Sequence, residues 1–352
     1  MLTTRSVGFL GTFTLAMVLA AGISITWRHA GTIRAIDTEI VFGDMAKLSD
    51  VVREVRIERE ETNERIPVTI KRGESGWVVV EKADFPAETK MVRQLLLQLG
   101  ELRKVEAKTR DVARFDRLEL RDLSIEGSLA NRLVLLDGAG EPLMDVLFGK
   151  RRSSISGGAP MTYMRTTGDT QTWLVEGELD LRSGPVGWID QSAVNVPRER
   201  MLEARFRRPD MKPIVIKRQK GKDKFKILDM PADRREKSRY VTKNVVGALD
   251  FLLFEDVRPA SELTFDANLG RAEFYTRDGL RVVVEFAEDP RAKNRPWSRF
   301  KAEALDIAED EVKAEAVKIN TATATWAYRL GDIRTDRMRS TLEAVTEPKK
   351  RK

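Results

Sequence analysis

The chain has 352 residues, 33% of them charged and 41% hydrophobic, with a formal net charge of +7; this describes a globular protein of about two ordinary domains rather than a disordered polymer. It has no cysteine and one histidine, His29, which excludes disulfides, thiolate nucleophiles, iron–sulfur clusters, cysteine-ligated zinc, a Ser-His-Asp triad and any metal site that needs two imidazoles. The net charge resides at the ends: Arg5, Arg28 and the run Lys349-Lys350-Arg351-Lys352 enclose a body with 56 basic and 55 acidic residues, without the basic surplus of a nucleic-acid-binding surface, so no nucleic-acid partner is expected.

Between Arg5 and Arg28 lie 22 consecutive uncharged residues. As a helix rising about 1.5 Å per residue they would cover roughly 33 Å, enough for a bilayer core of about 30 Å. Residues 1–28 are therefore expected to be a transmembrane anchor, with Trp27, Arg28 and His29 at the headgroup boundary. The competing reading is a cleaved secretory signal with Ala20 and Gly22 as small flanking residues, although the run exceeds the usual apolar core of about 7–15 residues. With no cysteine after it, a lipoprotein anchor is excluded. Arg5 and the amino terminus precede the run while Arg28 and Arg34 follow it, so charge leaves the orientation open. Later apolar runs, Met91–Leu102 and Val245–Phe254, are short and interrupted.

After a linker over 29–49, the body reads as a duplication. Val55-Arg56-Ile57, Val68 to Arg72 and Gly76 to Val80 form three short strand patterns; Ala204-Arg205-Phe206, Ile214 to Arg218 and Phe225 to Leu228 repeat them at offsets of 149, 146 and about 148 residues. Phe85-Pro86-Ala87 is answered by Met230-Pro231-Ala232, each ahead of a helical pattern. The first helix carries Val92, Leu95, Leu96, Leu99 and Leu102 in one apolar stripe, the second Val241, Val245, Ala248, Leu249 and Leu252. Hairpins follow at Asp137-Gly138 and Asp278-Gly279, where glycine accepts positive φ. The copies close at Trp173 and Trp326. The expected fold class is α+β: two tandem modules, 50–195 and 196–342, each a mostly antiparallel sheet with a packed helix, then a basic disordered tail over 343–352.

The segment WVVVEKADFPAETKMVRQLLLQLGELRKVEA from Trp77, Phe115-Asp116-Arg117-Leu118, the strand ending Leu147-Phe148-Gly149 and the tyrosine strand at Tyr163 resemble the bacterial family known as domain of unknown function 4340. The likeness covers roughly 50–190 and reaches the second copy more loosely, where Phe225 replaces the tryptophan. It implies a single-pass anchor in the bacterial inner membrane with the body in the periplasm, and a likeness to accessory subunits of gliding-motility-type ABC export systems. It carries no catalytic residues.

Candidate sites are few. Gly149-Lys150-Arg151-Arg152-Ser153-Ser154, with Gly157-Gly158 after it, lacks the spacing of a phosphate loop and reads as a flexible basic hairpin loop. Asp306, Glu309, Asp310, Glu311 and Glu315 fall in alternating charged sequence that suits a solvated helix face paired with Lys313 and Lys318. Trp77, Trp173 and Trp326 sit in apolar strand contexts and read as core. Residues 198–226 hold twelve basic and four acidic residues, and Arg207, Arg208, Lys217 and Arg218 form the candidate patch for an anionic partner; wet strand faces use the same residue types. No catalytic, cofactor-binding or metal-binding residue is assigned and no cofactor is expected. The sequence therefore favours a non-enzymatic, membrane-anchored accessory or binding protein associated with an ABC transporter's membrane subunits or another envelope protein. The rival readings are an envelope-polymer hydrolase using paired carboxylates, and a lipid or small-ligand module between the repeats.

Overall fold

A computed structural model describes residues 39–43, 45–61, 64–153, 159–209, 211–265, 269–289 and 295–349. The expected anchor, residues 29–38 of the linker and the last three tail residues lie outside them. Among the described residues no helix is long and apolar enough to cross a membrane. Two compact units are present, residues 1–66 with 93–181, and residues 67–92 with 182–352. The sequence modules divide at 195/196, so 67–92 belongs to the first module by sequence and to the second unit by packing.

In chain order the first module has α1 (Met45–Val51), β1 (Glu54–Glu61), β2 (Glu64–Gly73), β3 (Gly76–Val79), β4 (Phe85–Pro86), α2 (Thr89–Glu101), β5 (Arg103–Ala107), β6 (Asn131–Leu136), β7 (Pro142–Arg152), β8 (Met161–Thr166) and β9 (Trp173–Glu176). Within the first unit the strands run in the order β1-β6-β7-β8-β9-β5, antiparallel throughout. The stripe of α2 is buried: Val92, Leu95, Leu96, Leu99 and, just past its end, Leu102 are at most 7% exposed. The end of the expected linker is folded, because Glu39 to Val41 pair with the edge at Leu102 to Lys104 and Met45 packs against Gly100. Gly149–Arg152, expected as a loop, continues strand β7; Ser154 and Gly157-Gly158 fall outside the described residues.

The second module has β10 (Ser192–Val194), β11 (Met201–Arg207), β12 (Ile214–Arg218), β13 (Phe225–Ile227), β14 (Arg234–Glu236), α3 (Arg239–Val246), β15 (Leu252–Pro259), β16 (Arg271–Thr276), β17 (Leu280–Ala287), β18 (Trp297–Ala304), α4 (Asp310–Thr323), β19 (Trp326–Leu330), α5 (Asp332–Met338), α6 (Leu342–Val345) and β20 (Thr346–Pro348). The sheet order is β10-β15-β19-β18-β17-β16-β11-β12-β13, and β14 pairs with β20 apart from it. Helix α3 is shorter than the apolar pattern suggests and stops before Gly247. Arg334 donates to the carbonyls of Gly247, Ala248 and Phe251, and Phe251 leaves the turn at a φ of 47°. The last stretch corrects the expectation of a tail over 343–352. Val345 is fully buried, Thr346 nearly so, and Arg234 Nε donates to Thr346 Oγ1 at 2.7 Å, so the chain is ordered through β20.

The run β1-β6-β7-β8-β9-β5 and the run β11-β16-β17-β18-β19-β15 are the same topology. The registers agree over the middle of these strands, departing at irregularities after Leu135 and after Phe148. Ile57 faces Leu133, which shares Val146 with Thr166; Phe206 faces Ala272, which shares Val284 with Phe300. This alignment makes Arg165 the equivalent of Arg299, and Gly149 the equivalent of Ala287.

Those positions carry a shared device. In each copy the segment entering the central hairpins folds over the sheet and is pinned by an aromatic under a guanidinium. Arg165 stands 4.9 Å over the Phe115 ring and Arg299 stands 4.1 Å over the Phe265 ring. Phe115 packs with Leu120, Leu123, Ala130 and Leu147; Phe265 packs against Ala260, Ala287, Trp297 and Ala327. Arg165 is 2% exposed and donates to Leu120 O at 2.9 Å, Asp169 O at 3.3 Å and Asp122 at 2.6 Å. The close approach requires small residues on the strand: a Cβ at Gly149 would lie 2.1 Å from Leu118 O, and Phe265 bridges directly to Ala287.

Candidate functional site

The basic segment 198–226 supplies β11 and β12, and strand periodicity sorts its side chains between two faces. Glu203, Arg205 and Arg207 share one face of β11; Ala204 and Phe206 face the apolar side. The registers place Arg205 opposite Glu273, Tyr275 opposite Arg281, Arg281 opposite Glu303 and Arg299 opposite Glu285. The result is a lattice of ion pairs across five strands, β12, β11, β16, β17 and β18. Arg281 reaches Glu273 at 3.0 Å and Glu303 at 2.6 Å, Arg299 reaches Glu285 at 2.6 Å, and Lys217 reaches Glu203 at 3.2 Å. Glu203 and Glu273 are each 5% exposed, so opposite charges directly alongside are what permits them there.

The four patch residues do not converge. Lys217 is paired with Glu203. Arg218 holds the start of β11, donating to Met201 O at 2.7 Å, Arg198 O at 3.0 Å and Asp223 at 2.8 Å while stacking 4.6 Å over Phe225. Arg207 and Arg208 lie at the opposite end of the same hairpin, roughly 14 Å along the strand at about 3.4 Å per residue, and adjacent positions point to opposite faces. Arg208 lies beside Phe206, away from the ion-pair lattice.

The other candidates resolve simply. Glu315, on α4, clamps Arg200 with two hydrogen bonds of 2.8 and 2.7 Å, and Asp278 holds the same guanidinium at 2.8 Å. Asp310 pairs with Lys313. Trp77 is buried, Trp173 lies under Lys104 at 5.0 Å and Trp326 meets Phe85 edge to face at 4.7 Å. Among the described residues no group of three acids or histidines is placed to hold a metal ion. The ion-pair lattice is absent from the sequence-based expectations, although its signal is present as odd-numbered charged positions in five separate strands.

The carboxylates are held ionised. Burial pushes the pKa of Asp145, Glu273 and Asp278 up, but hydrogen bonds and charge outweigh it: Arg132 and Thr167 for Asp145, Tyr275 and Arg281 for Glu273, Thr276 and Arg200 for Asp278. Each folded pKa lies below the unfolded value of about 4. The stabilisation they give is present in full above that value and is lost as pH falls through the folded pKa. Thermal midpoints are expected to hold from pH 7 to about 5 and to fall steeply below about 4, less steeply in Glu273→Gln. Midpoints that stay level to pH 3, measured by circular dichroism, would contradict this.

Fold and surface together define an α+β protein built on two large antiparallel sheets of shared strand order, the second backed by helices and faced with paired charges. Residues 77–268, more than half of the chain, match the family described as Domain of unknown function (DUF4340), and the chain belongs to that family. No curated protein and no solved structure matches it.

Proposed function

We propose that the chain is a single-pass protein of the bacterial inner membrane whose duplicated body stands in the periplasm as a non-catalytic accessory or binding component, with the membrane subunits of an ABC transporter as its partners. The observation that carries the reading is the uncharged run between Arg5 and Arg28, long enough to cross a bilayer, ahead of a body of the DUF4340 family. The chemistry of the body supports binding over hydrolysis. A glycosidase-type acid needs a raised pKa, whereas Asp145, Asp223, Glu273 and Asp278 are all shifted downward beside arginine or lysine.

Purification of the tagged full-length chain in mild detergent is expected to co-enrich an integral transport subunit, and alkaline extraction is expected to leave the chain in the membrane pellet. Leu15→Arg with Val18→Arg, each costing about 2.5–3.5 kcal/mol at a helix centre, is expected to move it to the soluble fraction and to abolish recovery of the partner. A native chain released by alkali, or recovery of no membrane protein above background, overturns the reading.

A further inference from the structure

Parts of the second copy that the duplication does not account for are the place to look for a function of its own. Two of them meet. The β1–β2 hairpin turns between Glu61 and Glu64, whereas β11 and β12 are joined by the longer stretch from Arg207 to Ile214. The chain beyond β19 continues through α5 and α6 to β20, and no helix of that kind follows β9. Side chains from these two additions line a pocket of about 360 Å³, together with Phe206 and Ile214, which are register partners on β11 and β12.

The lining has two characters. Phe206, Met211, Ile214 and Leu342 are its apolar members; Arg208 and Lys212 bring two cations, with Ser340, Thr341 and, among the described residues, one acid, Glu343. Next to it stands Arg339, half-buried, its guanidinium 5.7 Å over Phe286 and its Nε without a hydrogen-bond partner. Burial first, and the charge of Arg208 second, hold the Arg339 pKa below its ordinary value, with Asp336 offsetting them in part. Among the described residues, Arg208, Lys212 and Arg339 thus outnumber Glu343 and Asp336, a local excess of positive charge that an anion relieves. A volume near the lower end of small-molecule sites, which run from about 300 to 1,000 Å³, limits the occupant to a small one.

We propose that this pocket binds a small amphiphilic anion, its carboxylate or phosphate head held by Arg208 and Lys212 and its short alkyl chain laid against Phe206, Met211, Ile214 and Leu342. The pocket lies wholly within the second unit, so the proposal is independent of the membrane and transport reading.

The test follows the methyl resonance of Met211 in the full-length chain, labelled at its methionine methyls, kept in solution with mild detergent and assigned through Met211→Leu. Hexanoate and hexyl phosphate are expected to shift it saturably. Loss of charge-assisted hydrogen bonds is expected to weaken hexanol and hexylammonium by about tenfold or more. Arg208→Gln with Lys212→Gln, and Lys212→Gln alone as the milder variant, are expected to weaken the anions by a similar factor while the other methionine resonances stay in place. Lys226→Gln, exposed on β13, is expected to change nothing. A preference between the two anions identifies the head group. Hexanol binding as well as hexanoate, unchanged affinity in the charge variants, or no saturable shift overturns the proposal.

Discussion

Gly149→Ala is expected to destabilise the protein by about 3 kcal/mol or more, since overpacking against a fixed backbone ranks among the costliest single changes. The methyl group would lie 2.1 Å from Leu118 O and 2.8 Å from Glu119 O. Neither is the flexible end of a side chain. Glu119 itself holds a left-handed φ of 58° at the end of the turn over Val112–Leu118, and its N–H donates to Asp116 O and Phe115 O, so the segment has little room to withdraw. The expected readout is a thermal midpoint lower by about 6–12 °C, at about 2–4 °C per kcal/mol for a unit of this size. Gly138→Ala is the control, because its nearest neighbour is the Arg53 side chain at 3.7 Å. Equal midpoints for the two variants would show that the crossing segment yields and that the close approach is not what fixes glycine there.

Arg165→Met is expected to cost about 2–4 kcal/mol, from a buried carbonyl left without its donor and the loss of a desolvated cation–π contact. Methionine replaces the aliphatic length of the side chain, so the loss isolates the guanidinium. Leu120 O would lose its arginine partner inside the small cluster around Phe115, whereas Asp122, half-exposed, returns to water at little cost. Arg165→Lys is expected to fail nearly as badly, because a single ammonium cannot serve Leu120 O, Asp169 O and Asp122 in their separate directions. The accompanying change is local: residues 112–130 should exchange amide hydrogens faster while β6 and β7 stay protected. Uniform loosening of the whole chain, or none, would contradict the pin.

The two predictions rest on contacts that local sequence does not announce. The hairpins were legible where their markers are local: Asp278-Gly279 turns with Gly279 at a φ of 90°, whereas in the first hairpin the left-handed position falls on Gly140, at a φ of 85°, and not on Gly138. The stripe on α2 was legible for the same reason. The early stop of α3 is marked by Gly247 at its C-cap, but the donor to the carbonyls from there on, Arg334 on α5, is remote in the sequence and was not legible. The ion-pair lattice was hidden likewise, since Glu273, Glu285 and Glu303 meet Arg281 and Arg299 on strands outside the basic window 198–226, and from the window itself Arg200 is held by Asp278 and Glu315 far along the chain. The pins did leave a trace. Phe115-Asp116 and Phe265-Asp266 stand 150 residues apart, close to the offsets of the strand patterns, and only the register shows that each phenyl meets an equivalent arginine.

The chain passes between the two compact units after Ile66, after Val92 and after Leu181. The stretch it hands over is deeply engaged: Phe85 fits edge to face against Trp326 and Phe254, Lys82 reaches Asp256 at 2.6 Å, and Glu88 N–H donates to Trp188 O at 2.8 Å. A fragment cut from the gene at the boundary between the duplicated halves would thus be born with a hole where a borrowed phenyl ring belongs. The two modules share one plan of strands, yet the second compact unit is completed by residues 67–92, which by sequence belong to the first.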